Sequence, residues 1–257
     1  MVQSVTKEDI ENGQRLSRFS PVYKINPTTV VKTGEIVRMA EAATMKFVLD
    51  NTSIPVPTVH NAYIDEITGH VVIIMDFVEG ENLDKAWVNY TETERQSVIV
   101  QLQDYMSQLR SFKGSFIGCI DGTPCQDQYF YSEKENYGPY QTEHEFNEGI
   151  VNLMRKQGPY AFVEWRCDVW KDIMKDHNIV LTHNDFDPRN ILVQGAKVVA
   201  ILDWEFSGFY PEYWEYCKAV SCPDWEHPWS RSRAIDQIMR PYYKEISVFW
   251  NSGEVIH

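Results

Sequence analysis

No stretch of this chain is apolar for the roughly 20 residues needed to cross a bilayer. Its first ten residues, Met1 to Ile10, are polar with charges of both signs and lack the apolar core of a secretory signal. A cytoplasmic protein with no membrane partner is the expectation. Low-complexity tracts and internal repeats are absent. Basic residues are few: 24 Lys and Arg stand against 37 Asp and Glu, a net charge of −13. Nucleic acid is therefore not an expected partner, because phosphate binding needs a basic patch. Such acidity suits a cationic small molecule, such as an amine, and serves solubility in any case. Cysteine is sparse. Cys119, Cys125, Cys167, Cys217 and Cys222 form no CxxC pair and are odd in number, as expected of reduced thiols, and their spacings match no zinc framework. His144-Glu145 lacks the second histidine of an HExxH helix, since Glu148 stands in its place.

What is present is an ordinary globular composition. Hydrophobic residues make up 43% and charged residues 24% of 257 residues, enough for one large domain or two lobes sharing a cleft. The first third reads as strands with one helix. Pro21 to Ile25 and Val30 to Thr33 form a hairpin around Asn26-Pro-Thr-Thr29. Glu35 to Asn51 carries apolar residues at 36, 40, 43 and 47, a helical stripe, which Ile54-Pro-Val-Pro57 ends. Val59 to Ile64 and His70 to Val78 read as a second hairpin around Asp65 to Gly69. The polar Glu79-Gly-Glu-Asn82 marks a lobe boundary, dividing the chain into residues 1–79 and 80–257.

The remainder reads as mainly helical. Thr91 and Glu94 have the spacing of a capping box, opening a helix with Val98, Leu102, Tyr105, Leu109 and Phe112 on one face. Ser111 to Tyr140 reads as a long irregular loop. Thr142 and Glu145 repeat the capping spacing, and Tyr160 to Asp176 reads as a further helix. Ile179 to Thr182, Ile191 to Val193 and Val198 to Leu202 are three short β runs grouped in one region. In the trailing region, 221–257, Trp225, Trp229, Tyr242, Tyr243 and Trp250 would form either aromatic walls for a ligand or helix packing, and packing is the expected use.

The turns around those three β runs hold the residues that point to chemistry. His183-Asn-Asp185-Phe-Asp-Pro-Arg-Asn190 has the pattern H-x-D-x-x-x-x-N, followed by a strand hairpin ending at Asp203. Phosphoryl transfer needs metal ions on hard oxygen ligands beside the phosphoryl oxygens, which an Asn carbonyl and an Asp carboxylate supply. It also needs a carboxylate to orient the attacking hydroxyl and take its proton. Asp185, Asn190 and Asp203 meet these demands, while Asp187 reads as a turn residue. A kinase further needs a cation on the nucleotide phosphates and an acid to fix it. Lys32, in a strand, and Glu41, in the following helix, have that order.

The chain resembles the aminoglycoside phosphotransferase and choline kinase-like family, in particular its members from filamentous fungi. The resemblance runs through Val31-Lys-Thr-Gly34, Ser53 to Pro57, Ile74 to Gly80, His183 to Val193, Ile201 to Glu205 and Phe206 to Tyr216. It implies an α+β, bilobal protein-kinase-like fold, with a small β-rich N-terminal lobe, a larger helical C-terminal lobe and ATP in the cleft between them. It implies Asp185 as catalytic base, Asn190 and Asp203 as magnesium ligands, and Lys32 paired with Glu41 on the phosphates. The backbone of Asp76, Phe77 and Val78 would meet the adenine. The small-molecule substrate would lie near Trp204, Glu205, Glu212 and Trp214. The chain departs from the family pattern in three places, one of them a short N-terminal lobe. Only Arg15 to Ser20 stands where a glycine-rich phosphate loop would be, and Asn184 replaces the glycine usual after the histidine. The expected activity is ATP-dependent transfer of a phosphoryl group to a hydroxyl of a small molecule. Its rivals are a kinase-fold enzyme turned to a different biosynthetic step and a catalytically silent binding module.

Overall fold

The computed structural model describes residues 4–17, 21–130, 137–156, 158 and 160–256. The chain divides into two compact units, Met1–Val98 with Arg189–Glu205, and Ile99–Pro188 with Phe206–His257. No helix among the described residues is long and apolar enough to cross a membrane.

The first unit opens with a helix absent from the sequence expectations, α1 (Lys7–Asn12), started by a capping box between Thr6 and Asp9. An antiparallel sheet follows in the order β1-β2-β3-β5-β4, from β1 (Gln14–Arg15), β2 (Val22–Asn26), β3 (Thr29–Gly34), β4 (Val59–Ile64) and β5 (Val71–Asp76). Both expected hairpins are present. In the first, Asn26 Oδ1 accepts from the Thr28 amide and hydroxyl, the local bonding that makes Asn a turn residue. In the second, Asp65 Oδ1 accepts from the amides of Ile67 and Thr68, and Gly69 takes φ 72°, a region nearly free only to glycine.

Strand alternation decides what each sheet face carries. Val31, Val72 and Ile74 form an apolar cluster on one face, which turns Lys32 to the other. Helix α2 (Met39–Asn51) packs on β4 and β5. It starts four residues later than expected, and Ile36 lies outside it, exposed. Its buried side is Ala40, Glu41, Thr44, Met45 and Val48, rotated from the expected 36-40-43-47 stripe. The reason is Glu41: a charged residue counts as solvent-facing in a periodicity, yet here it is buried against Lys32. The unit also holds β6 (Glu81–Asn82), α3 (Leu83–Asn89), the start of α4 (Glu92–Ser111), and a sheet β6-β8-β9 with β8 (Ile191–Gln194) and β9 (Lys197–Ile201). At the head of α4 the Thr91–Glu94 capping box is reciprocal, as expected.

The second unit is mainly helical. Helices α5 (Glu143–Arg155) and α6 (Ala161–Ile173) pack together and against α10 (Tyr243–Ile256). Thr142 caps α5 by accepting the Glu145 amide, but the Glu145 carboxylate accepts from Gln141 instead of closing a box. The two-stranded sheet of β7 (Ile179–Thr182) and β10 (Gly208–Pro211) runs antiparallel. The three β runs expected as one group therefore belong to two sheets, because β10 takes β7 as its partner. Helices α7 (Trp214–Ser221), α8 (Pro228–Arg231) and α9 (Ala234–Ile238) complete the unit. Its core is aromatic: Trp214 meets Phe146 edge-on at 5.0 Å and Phe249 at 5.4 Å, and Tyr129 lies 5.0 Å from Phe249. The stretch expected as an irregular loop contributes buried Ile117, Cys119, Asp127, Tyr129, Phe130 and Tyr137 to this core; its residues 131–136 lie outside those described. Of the five trailing aromatics, Trp229 and Tyr242 are buried while Trp225, Tyr243 and Trp250 are exposed.

Candidate active site

In the first unit, Lys32 is the hub of a buried ion cluster. Its Nζ lies 2.9 Å from Glu41 Oε1, 2.6 Å from Asp203 Oδ1 and 2.9 Å from Glu205 Oε2. An ammonium has three N–H donors, so all three are used. Burial alone would drive the lysine toward its neutral form, but the three carboxylates outweigh it and hold its pKa well above the ordinary value. Burial pushes the Glu41 carboxyl up to about 7 against the pull of Lys32. Three carboxyl groups surround one ammonium, and Glu41 Oε2 is buried without a hydrogen-bond partner. Hard oxygens outnumber cations here, and among the described residues no three His, Cys, Asp or Glu side chains are grouped as a metal site.

The turn after β9 places Asp203. It adopts φ 62°, a left-handed conformation that Asp tolerates better than most residues. Two anchors hold the turn. Leu202 N donates to Asn190 O at 2.7 Å, and the indole of buried Trp204 donates to Ile201 O at 2.9 Å. Trp204, expected near the substrate, is thus a buried anchor, and Glu205 lies on Lys32. Asn190 ends a 3-10 turn, Pro188–Asn190, and Asn82 Nδ2 donates to the neighbouring Arg189 O at 2.5 Å. Asp76 ends β5 and Phe77 follows it, and their amides donate to Thr58 O and Thr28 O. The Asp76 carboxylate meets His60 Nε2 at 2.7 Å, and Lys24 Nζ sits 3.4 Å over the Phe77 ring. Val78 follows, half-buried. Of the stretch without a glycine-rich loop, Arg15 lies in β1 and residues 18–20 lie outside those described.

The second unit carries Asp185. The loop leaves β7 through His183 and Asn184, both fully buried. Glu215 of α7 binds the loop backbone: its carboxylate accepts from His183 N at 2.5 Å and Asn184 N at 2.9 Å. Burial raises the Glu215 carboxyl above its usual range. Asn184 takes φ 70°, and its Nδ2 donates to Phe206 O at 3.0 Å. This explains the departure from glycine. The position needs left-handed backbone, which glycine adopts freely and asparagine next most readily. Asp185 N donates to His183 Nδ1 at 3.2 Å, and Asp187 N to Asp185 O at 2.8 Å. The Asp185 side chain is half-buried, whereas Asp187 is buried.

Glu212 and Trp214 belong to this unit's internal bonding. The Glu212 carbonyl accepts from Arg110 at 2.7 Å, and its carboxylate from Asn178 at 3.3 Å. Trp214 is fully buried, and its indole donates to Asp127 Oδ2 at 3.0 Å. Asp127 also accepts from Lys218 Nζ at 3.0 Å and from Tyr129 N at 2.7 Å. Neither Glu215 nor the Asp127–Lys218 pair was singled out from the sequence. Glu215 carried one available signal: it lies in the Phe206 to Tyr216 stretch that resembles the family. For Asp127, in a loop without periodicity, there was none.

Thus the structure joins Lys32, Glu41, Asp203 and Glu205 in one cluster, with Asn190 bonded to the Asp203 turn. Asp185, Glu212 and Trp214 belong to the other unit.

Solved structures share this fold. ADP-bound aminoglycoside phosphotransferase APH(2'')-Ib is 15% identical with a TM-score of 0.65, covering 98% of this chain and 91% of that one. The GDP and kanamycin complex of APH(2'')-IIIa is 11% identical with a TM-score of 0.64, covering 95% and 83%. The streptomycin–ATP ternary complex of APH(2'')-IIa is 15% identical with a TM-score of 0.63, covering 100% and 92%. The chain therefore has the α+β kinase-like fold, with its antiparallel sheet N-terminal and its helices mainly C-terminal. Subtelomeric hrmA-associated cluster proteins from two Aspergillus fumigatus strains are 27% identical over 96 residues, 37% of this chain and only 19% of theirs. The profile of the phosphotransferase enzyme family matches residues 20–241, and the chain belongs to that family.

Proposed function

We propose that the protein transfers the terminal phosphoryl group of ATP to a hydroxyl of a small molecule. The observation that carries this reading is the Lys32 cluster, in which a buried ammonium meets three carboxylates. A phosphate oxygen would reach that ammonium by taking the place of Asp203, the most exposed of the three carboxylates, while Glu41 fixes the lysine's aim. Asn190 and Asp203 would hold magnesium, which when bound offsets the charge of the phosphoryl oxygens. The adenine would lie against the backbone of Asp76 to Val78. Asp185 would accept the proton of the acceptor hydroxyl as its oxygen bonds to phosphorus and the bond to the ADP oxygen breaks. Glu215 keeps that loop in shape through two backbone amides.

Nucleotide use is supported by the ADP-, ATP- and GDP-bound states of the solved phosphotransferases, and an amine-bearing acceptor by the kanamycin and streptomycin bound to two of them. A net charge of −13 suits such an acceptor. Glu212, half-buried, would be the residue to meet it, since the Trp204 and Trp214 rings are buried. One observation favours a non-phosphoryl reaction: all three donors of Lys32 are already taken by carboxylates.

A screen separates the two. The protein is incubated with ATP labelled at its terminal phosphate, magnesium and a library of amines, sugars and alcohols. Label is expected in at least one hydroxyl compound, and none with Asp185→Asn. Turnover by Asp185→Asn within a few-fold of wild type would remove Asp185 as base, and activity indifferent to ATP would establish the other reaction.

A further inference from the structure

One face of α7 meets the catalytic loop. Glu215, Lys218 and the C-cap Cys222 recur at spacings of three and four, so they share that face. The Glu215 carboxylate accepts the His183 and Asn184 amides at 2.5 and 2.9 Å, which sets the face against the residues just before Asp185. Lys218 is tied to the same place from a second side. Its Nζ lies 5.9 Å from the Phe206 ring centroid, and Phe206 O accepts from Asn184 Nδ2 at 3.0 Å.

Lys218 is 5% exposed, and its ammonium carries three N–H donors. One goes to Asp127 Oδ1 at 3.0 Å, and among the described residues Nζ makes no other hydrogen bond. Asp127 is itself fixed by Trp214 Nε1 at 3.0 Å and Tyr129 N at 2.7 Å. A buried ammonium with unused donors is a costly core element. Replacing such an ion pair as a whole by apolar side chains of similar volume often leaves a core as stable or more so. Packing alone gives no reason for a charge at this position.

A second anion supplies one. Burial works to lower the Lys218 pKa, yet it stands above its ordinary value because Asp127, Cys222 and Asp185 act on the ammonium. Of these three, Cys222 is a neutral thiol: burial pushes it up to about 12, against the pull of Lys218 and with the help of Asp185 and Asp187. The charged groups acting on Lys218 are therefore Asp127, which clamps it, and Asp185, the next residue after the anchored amides.

We propose that Lys218 is a positioning residue for the phosphoryl transfer proposed above: clamped by Asp127, its ammonium steadies the ionised Asp185 carboxylate in the orientation that receives the acceptor proton. The inference rests on that reading for its function, though not for the contact itself. A general base must be ionised and must point at its proton. Asp185 shares its loop with Asp187 and would work beside phosphoryl oxygens, all of them negative. A fixed cation on the buried side of the loop offsets that repulsion.

The test is a double-mutant cycle on the full chain, read in urea unfolding and in turnover. Lys218→Gln keeps an N–H for Asp127 and loses the charge. The fall in folding constant that it causes should be smaller by at least about threefold in an Asp185→Asn background, because neighbouring charges couple. Asp50→Asn, which neutralises an exposed carboxylate of the other unit, should leave that fall unchanged. The cycle is repeated with Lys218→Met/Asp127→Asn in place of Lys218→Gln, so that neither member of the core pair is left as a stranded charge. In turnover, Lys218→Gln should lower kcat by about tenfold, the scale of a misaimed catalytic group, with KM for ATP within about twofold of wild type. Strictly additive changes in both cycles overturn the proposal. So does a wild-type kcat in Lys218→Gln, or a loss of kcat matched by an equal loss of ATP affinity. A wild type that transfers no phosphoryl group overturns the function proposed above, and the unfolding cycles still decide whether Lys218 acts on Asp185.

Discussion

Two buried lysines divide the molecule's electrostatics between its units. Lys32 meets three carboxylates, whereas Lys218 meets one, that of Asp127, whose remaining bonds come from the neutral donors Trp214 Nε1 and Tyr129 N. The second arrangement balances its charge and holds a core together. In the first, the carboxyl groups outnumber the ammonium, an excess that suits the magnesium ion proposed above. A buried pair is costly to break from one side and cheap to replace as a whole. The two clusters should therefore respond oppositely to the loss of one carboxylate, and that contrast separates a binding site from a scaffold.

The largest effect expected is from Lys32→Met, which strands three carboxylates. It should cost about 3–5 kcal/mol of stability in urea unfolding and remove nucleotide binding. Adding Glu41→Leu should restore only part of the loss, since Asp203 and Glu205 remain. Lys218→Met should cost a similar amount alone. Combined with Asp127→Asn it should recover most of it, because the asparagine still accepts from Trp214 or Tyr129. If the Lys218/Asp127 double variant is no better than the single one, the picture of a balanced pair is wrong.

A smaller effect is expected from Glu215→Gln, which keeps an acceptor but loses the charge shared by two backbone amides. A penalty of about 1.5–3 kcal/mol should accompany a fall in turnover, with nucleotide affinity at the Lys32 cluster unchanged. Equal losses of both would show that the loop and the cluster are not separable.

The smallest concerns pH. His177 is bound by Glu143 at 2.7 Å and Glu245 at 3.5 Å and lies beside the rings of Tyr213 and Tyr242. Burial disfavours its charged form, but the two carboxylates outweigh burial and raise its pKa above the ordinary 6.5. A raised pKa gives stability that is fully present below 6.5 and lost as pH rises through the folded value. The wild type should therefore exceed His177→Gln by on the order of 1 kcal/mol at pH 5.5, with the gap closing toward pH 8.5. A gap that widens with pH would reverse the assignment.

What the sequence revealed of all this depended on distance along the chain. Hairpins and capped helices are local, and Thr91 with Glu94, or Asn26 with Thr28, carry their own geometry. Lys32, Glu41 and Asp203 were read as a set because a strand, the next helix and a later strand end carry them in a recognisable order. Glu215 holds a loop 31 and 32 residues away, and Lys218 holds Asp127 across 91 residues. No period or turn signal reports such pairings. Buried charge also misleads a hydropathy pattern, which is why α2 presents Glu41, and not the expected stripe, to the sheet. Asn184 looked like a defect in a glycine position until its backbone angle showed the requirement that both residues satisfy. The trailing aromatics divide between buried and exposed because burial depends on how α7 to α10 pack, which their spacing does not encode.

The central claim, that the Lys32 cluster holds more carboxylates than structure needs because it serves nucleotide and magnesium, is tested by Asp203→Asn. Its melting temperature without ligand and its binding of ATP by calorimetry, with and without magnesium, are compared with wild type and with Asp127→Asn. Asp203→Asn should melt at or above the wild-type temperature and lose magnesium-dependent ATP binding by more than about tenfold, or 1.4 kcal/mol. Asp127→Asn should melt lower. An Asp203→Asn protein that melts as low as Asp127→Asn, or that binds ATP with magnesium as well as wild type, would contradict the account.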